Sequence, residues 1–194
     1  MTAKHIFPRY DWTQVNITDH KELLNGEERR NWLNILENKY KTKIFGGYLE
    51  NRYFLFDNKH CPEEDTHLGV DFWIEAGAEV NCPVYGEICY IGPSENTEFS
   101  WGGRIDIKTE DRVFVFGHMG SMYHRLGNRV TSSYYLGKLG DRNENGGWRP
   151  HLHLQCVSKE YYNQFSNPRD IDAYGDVKDG FLHENFFDPM EYET

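Results

Sequence analysis

Two periodicities divide the chain. Between Asp19 and Lys41 the apolar residues Leu23 and Leu24, then Trp32, Leu33, Ile35 and Leu36, recur at helical intervals on either side of Gly26. The spacing predicts one broken or two short amphipathic helices over 19–41, with Thr18-Asp19 as N-cap and Glu22 closing a capping box. From Gly46 onward the apolar residues come in short runs bounded by Gly, Asn, Asp and Pro. Those runs predict strands at Tyr53–Phe56, Val70–Ile74, Glu87–Ile91, Gly103–Ile107, Val113–Phe116 and His151–Cys156. Short strands separated by turns, with little helical periodicity among them, imply a mainly β fold built on an antiparallel sheet. The expected organisation is a helical N-terminal extension over 1–45, packed on a β domain over 46–194.

Composition narrows the choice of partners. The 194 residues are 38% hydrophobic and include twelve Phe, thirteen Tyr and five Trp, enough apolar mass for a packed core. A formal charge of −10 at pH 7 repels phosphate backbones, so nucleic acid and anionic membrane surfaces are poor partners. No apolar run of signal-peptide length follows Met1, and no stretch reaches the length of a membrane span. On that reading the chain is cytoplasmic and without membrane insertion, any action in the cell wall needing another route of release. Four cysteines occur without a Cys-x-x-Cys pair, which removes a Cys-rich zinc site. Buried free thiols are expected, although Cys82 and Cys89 could face each other across a turn at Gly86-Glu87.

Candidate chemistry gathers on histidine. In His151-Leu152-His153 an extended strand turns both imidazoles to one face, roughly 6.5 Å apart. In His67-Leu68-Gly69-Val70-Asp71 the spacing of four puts an imidazole and a carboxylate on one side of a strand or helix, and Gly69 and Val70 favour the strand. Those donor types suit zinc when a further His joins them. His118 closes the apolar run Val115-Phe116-Gly117-His118-Met119, where a structural histidine competes with a catalytic one.

The order of these pieces resembles the M23 peptidase domain, the lysostaphin/LytM-like zinc metallopeptidases with a duplicated hybrid motif, over roughly residues 60–190. The resemblance rests on His67–Asp71, then Cys82-Pro83-Val84-Tyr85-Gly86-Glu87-Ile88 and Phe116-Gly117-His118-Met119. It continues through Gly127-Asn128-Arg129-Val130, Leu136-Gly137-Lys138-Leu139-Gly140 and Pro150-His151-Leu152-His153, to the closing Asp188-Pro189. It implies one Zn2+ ion held by His67, Asp71 and His153, a vacant fourth position for water, and His118 and His151 as the catalytic pair. It also implies an open groove over the sheet, a peptide substrate, and peptides of the bacterial cell wall as its best-known class. Trp148-Arg149, Gln155 and Phe116 depart from the family pattern at positions expected to line or border that groove. Two rivals differ in class: a non-catalytic zinc-binding regulatory module, and an iron(II) facial triad, which usually draws on His-x-Asp rather than His-x-x-x-Asp spacing. No His-Glu-x-x-His occurs, so a helix-borne zinc site is absent.

Overall fold

The computed structural model describes residues 1–25, 31–52, 65–94, 100–176 and 184–193, leaving the predicted strand Tyr53–Phe56 and Cys61 outside the described residues. The strands in chain order are β1 (Trp12–Gln14), β2 (Lys43–Gly46), β3 (Glu50–Asn51), β4 (Thr66–His67), β5 (Gly69–Trp73), β6 (Glu79–Asn81) and β7 (Gly86–Gly92). There follow β8 (Gly103–Lys108), β9 (Arg112–Met119), β10 (Arg129–Val130), β11 (Tyr135–Lys138), β12 (His151–Ser158), β13 (Tyr174–Gly175) and β14 (Phe186–Phe187). Short helices α1 (Ala3–Ile6), α2 (Lys21–Asn25), α3 (Trp32–Tyr40) and α4 (Lys159–Tyr162) lie around them. The fold is mainly β, as the turn-punctuated pattern implies.

The principal sheet runs β1-β2-β5-β12-β9-β8-β7-β10, with β14 beside β12. Its pairings are antiparallel except β1 with β2, which is parallel. The first 45 residues therefore supply strand as well as helix: Trp12–Gln14 and Lys43–Gly46 extend the sheet at the β5 side. In place of a cap at Thr18-Asp19, the Asn16 side chain accepts from the Thr18 N–H and opens a 3-10 turn over Ile17–His20 that runs into α2. Asn16 wins because its short carbonyl reaches an orphan N–H two residues on, which leaves Thr18 and Asp19 inside the turn. Among the described residues no helix is long and apolar enough to cross a membrane.

Every residue of β12 is buried, because both faces of the sheet are covered. Leu152, Leu154 and Cys156 point to one face and join Val70, Phe72, Ile88, Ile105, Ile107, Phe114 and Phe116 in the main core. Phe45 stacks on Phe72 there at 5.2 Å. The opposite face carries His151, His153 and Gln155, flanked by two smaller apolar clusters. On one side Leu33 and Leu36 of α3 pack with Val15, Ile17 and Ile44 against Trp73. On the other, Val157 and Val113 meet Leu68, Tyr162, Ile171 and Phe186. Burying a side chain of this size contributes about 1.5–3 kcal/mol, so these clusters fix the polar strip between them. Cys82, Cys89 and Cys156 are free thiols, Cys89 only partly buried.

Candidate metal centre and active site

Three strands place the site. His67 ends β4, Asp71 is central in β5, and His153 pairs directly with Asp71 across the β12–β5 ladder. The extended geometry expected for His67–Asp71 is present, with the chain stepping from one small sheet into the principal one at Leu68. His67 Nε2 and His153 Nδ1 lie 2.9 Å apart. They stand 3.4 and 3.1 Å from Asp71 Oδ1. All three side chains are almost fully enclosed.

The neighbours decide where the protons are. His67 Nδ1 lies 2.8 Å from the Gly47 carbonyl, which can only accept, so Nδ1 carries the hydrogen and Nε2 a lone pair. The Gln155 amide donates to the Asp172 carbonyl at 3.1 Å, which turns its Oε1 towards His153 Nε2 at 3.0 Å. His153 therefore donates through Nε2 and leaves Nδ1 bare. Three lone-pair atoms then crowd one point, an arrangement that needs a cation or a shared proton among them. Burial, reinforced by the nearby Arg52 charge, pushes His67 down to about 3, so this ring offers a bare Nε2 at neutral pH. Tetrahedral ligands about 2.0–2.1 Å from zinc stand roughly 3.3 Å from one another, close to the spacings here. Two imidazole nitrogens and a carboxylate oxygen, each with an outer partner, fit Zn2+.

Asp71 is held as an anion. Burial would raise its carboxyl, but the Arg52 guanidinium beside it holds it well below the usual carboxylate range. Arg52 Nη1 donates to Asp71 Oδ2 at 2.5 Å and Nε to Glu50 Oε2 at 2.8 Å. Burial opposes the guanidinium charge, yet Asp71, Tyr174 and Glu50 hold it above its ordinary value.

His118 and His151 meet beside this triad, their ring centroids 4.3 Å apart. His151 Nδ1 donates to the Arg149 carbonyl at 2.6 Å and His118 Nδ1 to the Asn145 carbonyl at 3.0 Å. Both rings thus present bare Nε2 atoms, that of His151 lying 3.6 Å from Asp71 Oδ1. Burial pushes both below the ordinary histidine value: for His118 the neighbours His151 and His153 add to it, for His151 Asp71 partly offsets it. At 7% and 8% exposure these two are the most accessible of the five.

The five residues picked out in the sequence are thus brought together. Two of the departures from the family pattern are not at a groove: Phe116 lies in the main core on the other face of the sheet, and Gln155 is fully buried under His153. The period of two explains both, since Phe116 pairs with core-facing Leu154 and Gln155 shares the histidine face. The outer partners Gly47, Glu50, Arg52, Trp101 and Asn145 were not singled out. For Gln155 the signal was available, as the third member of an alternating set with His151 and His153; for Arg52 it was not, because nothing local marks a cation as buried.

The model of peptidase family M23 matches residues 65–168. Comparison with curated proteins gives no match. Similar solved structures include the catalytic domain of a mutant of the prophage-encoded M23 protein EnpA from Enterococcus faecalis, 18% identical, over 67% of this chain and 81% of that one, with a TM-score of 0.46. The catalytic domain of the antimicrobial peptidase lysostaphin from Staphylococcus simulans is 23% identical over 61% of this chain and 80% of that one, TM-score 0.43. A zinc-containing peptidase from Vibrio cholerae is 20% identical over 56% of this chain and 30% of that one, TM-score 0.42. The matched segment takes in more than half of the chain and all five site residues, and the chain belongs to peptidase family M23.

Proposed function

We propose that this protein is a zinc-dependent endopeptidase, with His67, Asp71 and His153 as metal ligands and His118 and His151 as catalytic residues. Peptides of the bacterial cell wall are the first substrate class to test. The observation that carries the reading is the tautomer pattern: outer partners leave three lone-pair atoms converging on one point and two more, on His118 and His151, beside it. Zinc, when bound, supplies Lewis acidity that polarises a scissile carbonyl and acidifies water at neutral pH.

The chain's own residues do the rest. A neutral imidazole with a bare Nε2 accepts the proton of the attacking water, and once protonated it donates to the leaving amine. Its Nδ1–H, tied to a backbone carbonyl, keeps the ring oriented through both steps. The second imidazole, neutral and with a bare Nε2, accepts a hydrogen bond from the other proton of that water and orients its oxygen for attack. Both rings enter the cycle neutral, because burial disfavours their charged forms.

The test is hydrolysis of a peptide panel, including glycine-rich and cell-wall stem peptides, by metal-free and zinc-reconstituted protein, with products read by mass spectrometry. Cleavage that appears on adding zinc and disappears on chelation is expected. Zinc-loaded protein that cleaves nothing, or cleavage indifferent to chelation, overturns the proposal.

A further inference from the structure

The metal-ligand reading leaves a buried charge pair unexplained. Arg52 and Glu50 have side chains only 4% and 3% exposed; Glu50 opens β3 and Arg52 follows its last residue, both upstream of the segment that matches the family. Burying ions in a row gives a fold little that well-packed apolar side chains would not give, often less. Their placement is specific, however. Arg52 spreads its fork across two carboxylates, Nε on Glu50 and Nη1 on Asp71, while Glu50 Oε1 also accepts from the Ile17 N–H. One Asp71 oxygen is thereby occupied, and the other faces His67 and His153.

The turn before β3 is equally committed. Gly47 gives its carbonyl to His67 Nδ1 and has φ of 114°. A Cβ there would stand 2.1 Å from Arg52 Nη2 and 2.8 Å from His67 Nδ1. The backbone is wedged between the two outer groups, in a conformation and a space open only to glycine.

We propose that residues 47–52 are the outer shell of the metal centre, with Arg52 a positioning residue that limits Asp71 to one oxygen for the metal. This rests on the zinc reading above. A carboxylate with both oxygens free can bind a cation through both and fill the place a water needs; one whose Oδ2 is held by a guanidinium gives Oδ1 alone. Gly47 acts on the second ligand, fixing the His67 ring so that Nε2 is the bare nitrogen. The segment preceding the matched domain is then part of the site, and Glu50 ties it through Ile17 to the apolar cluster under α3.

The experiment compares full-length wild type with Arg52→Met and Arg52→Lys. Zinc affinity is read by competition with a chromophoric chelator, coordination by the visible absorption of Co2+-loaded protein, and folding by circular dichroism without metal. Wild type should show the intense absorption of four-coordinate Co2+. Arg52→Met should show the weak absorption of higher coordination, with zinc affinity reduced by roughly 10–100-fold. Arg52→Lys keeps a buried cation but cannot fork across two carboxylates, so it should shift the spectrum in the same direction with a smaller loss. A folded variant with the wild-type spectrum and affinity overturns the inference, and so does failure of both variants to fold. Wild type that takes up neither zinc nor Co2+ removes the zinc reading itself, an outcome distinct from unchanged variants.

Discussion

Removing metal and lowering the pH from 7 to 5 should weaken the fold by a predictable amount through His67. In the metal-free protein its imidazole is pushed from 6.5 down to about 3, chiefly by burial and then by Arg52. A base whose folded pKa is depressed binds fewer protons folded than unfolded, so its contribution is intact above about 6.5 and is lost as pH falls towards 3. At pH 5 the unfolded ring is almost fully protonated and the folded one is not. At about 1.4 kcal/mol per unit, the loss between pH 7 and 5 is about 2 kcal/mol from this residue, which is only 1% exposed. His118 is lowered well below 6.5, by burial and then by His151 and His153, and adds in the same direction. Asp71 stays ionised throughout, being held well below 3.8, and contributes no slope in this window. Urea unfolding of chelator-treated protein at both pH values measures the loss. His67→Gln, with no proton to gain, should lose about 2 kcal/mol less than wild type. An equal loss in the two proteins would refute the claim that this ring is buried neutral.

Two further outcomes are expected. His153→Ala and Asp71→Ala should purify without zinc by elemental analysis, whereas His118→Ala should keep its zinc and lose turnover by about 10²–10⁴-fold; full zinc retention in the first two breaks the ligand assignment. At Gly117 a Cβ would stand 2.8 Å from Trp101 Cε3 and 3.6 Å from His153 Cβ. Gly117→Ala should therefore push the indole off His153 and destabilise by about 1–3 kcal/mol in urea unfolding, and a neutral result would show that Trp101 is not wedged there.

What the sequence disclosed and what it hid follow from the range of the interactions. Strands that read as short, mostly apolar runs, such as Val113–Phe116 and Val70–Ile74, were legible because the pattern is local, and each lies within an observed strand but for Ile74, one residue past the end of β5. The edge strand Trp12–Gln14 and its neighbour Lys43–Gly46 were not, since their extended form depends on pairing with each other and, for the second, with β5. The same division holds in the site. His151 and His153 share a face by arithmetic, and Asp71 follows His67 at an extended spacing. Arg52, Glu50 and Asn145 join only through contacts that cross the chain, such as the 2.5 Å bond from Arg52 to Asp71, and no spacing rule announces those.

His118 illustrates the limit most sharply, because the period of two would send it the wrong way. Along β9, Phe114 and Phe116 face the main core and Gly117 pairs with His153 on the site face, so regular alternation would turn His118 towards the core. Met119 does lie in that core, while His118 meets His151 on the opposite face. Alternation therefore breaks at residue 118, where φ is 65°. A left-handed conformation costs a non-glycine residue about 1–2 kcal/mol, and three bonds hold it: the His118 N–H to the Trp101 carbonyl at 2.8 Å, its carbonyl to the Gly140 N–H at 2.9 Å, and Nδ1 to the Asn145 carbonyl. The three proposed metal ligands need no such device, since regular strands already aim them. The strain falls on the imidazole proposed for proton transfer, which is turned across the strand to meet His151, and the loops that carry Trp101, Gly140 and Asn145 hold it there.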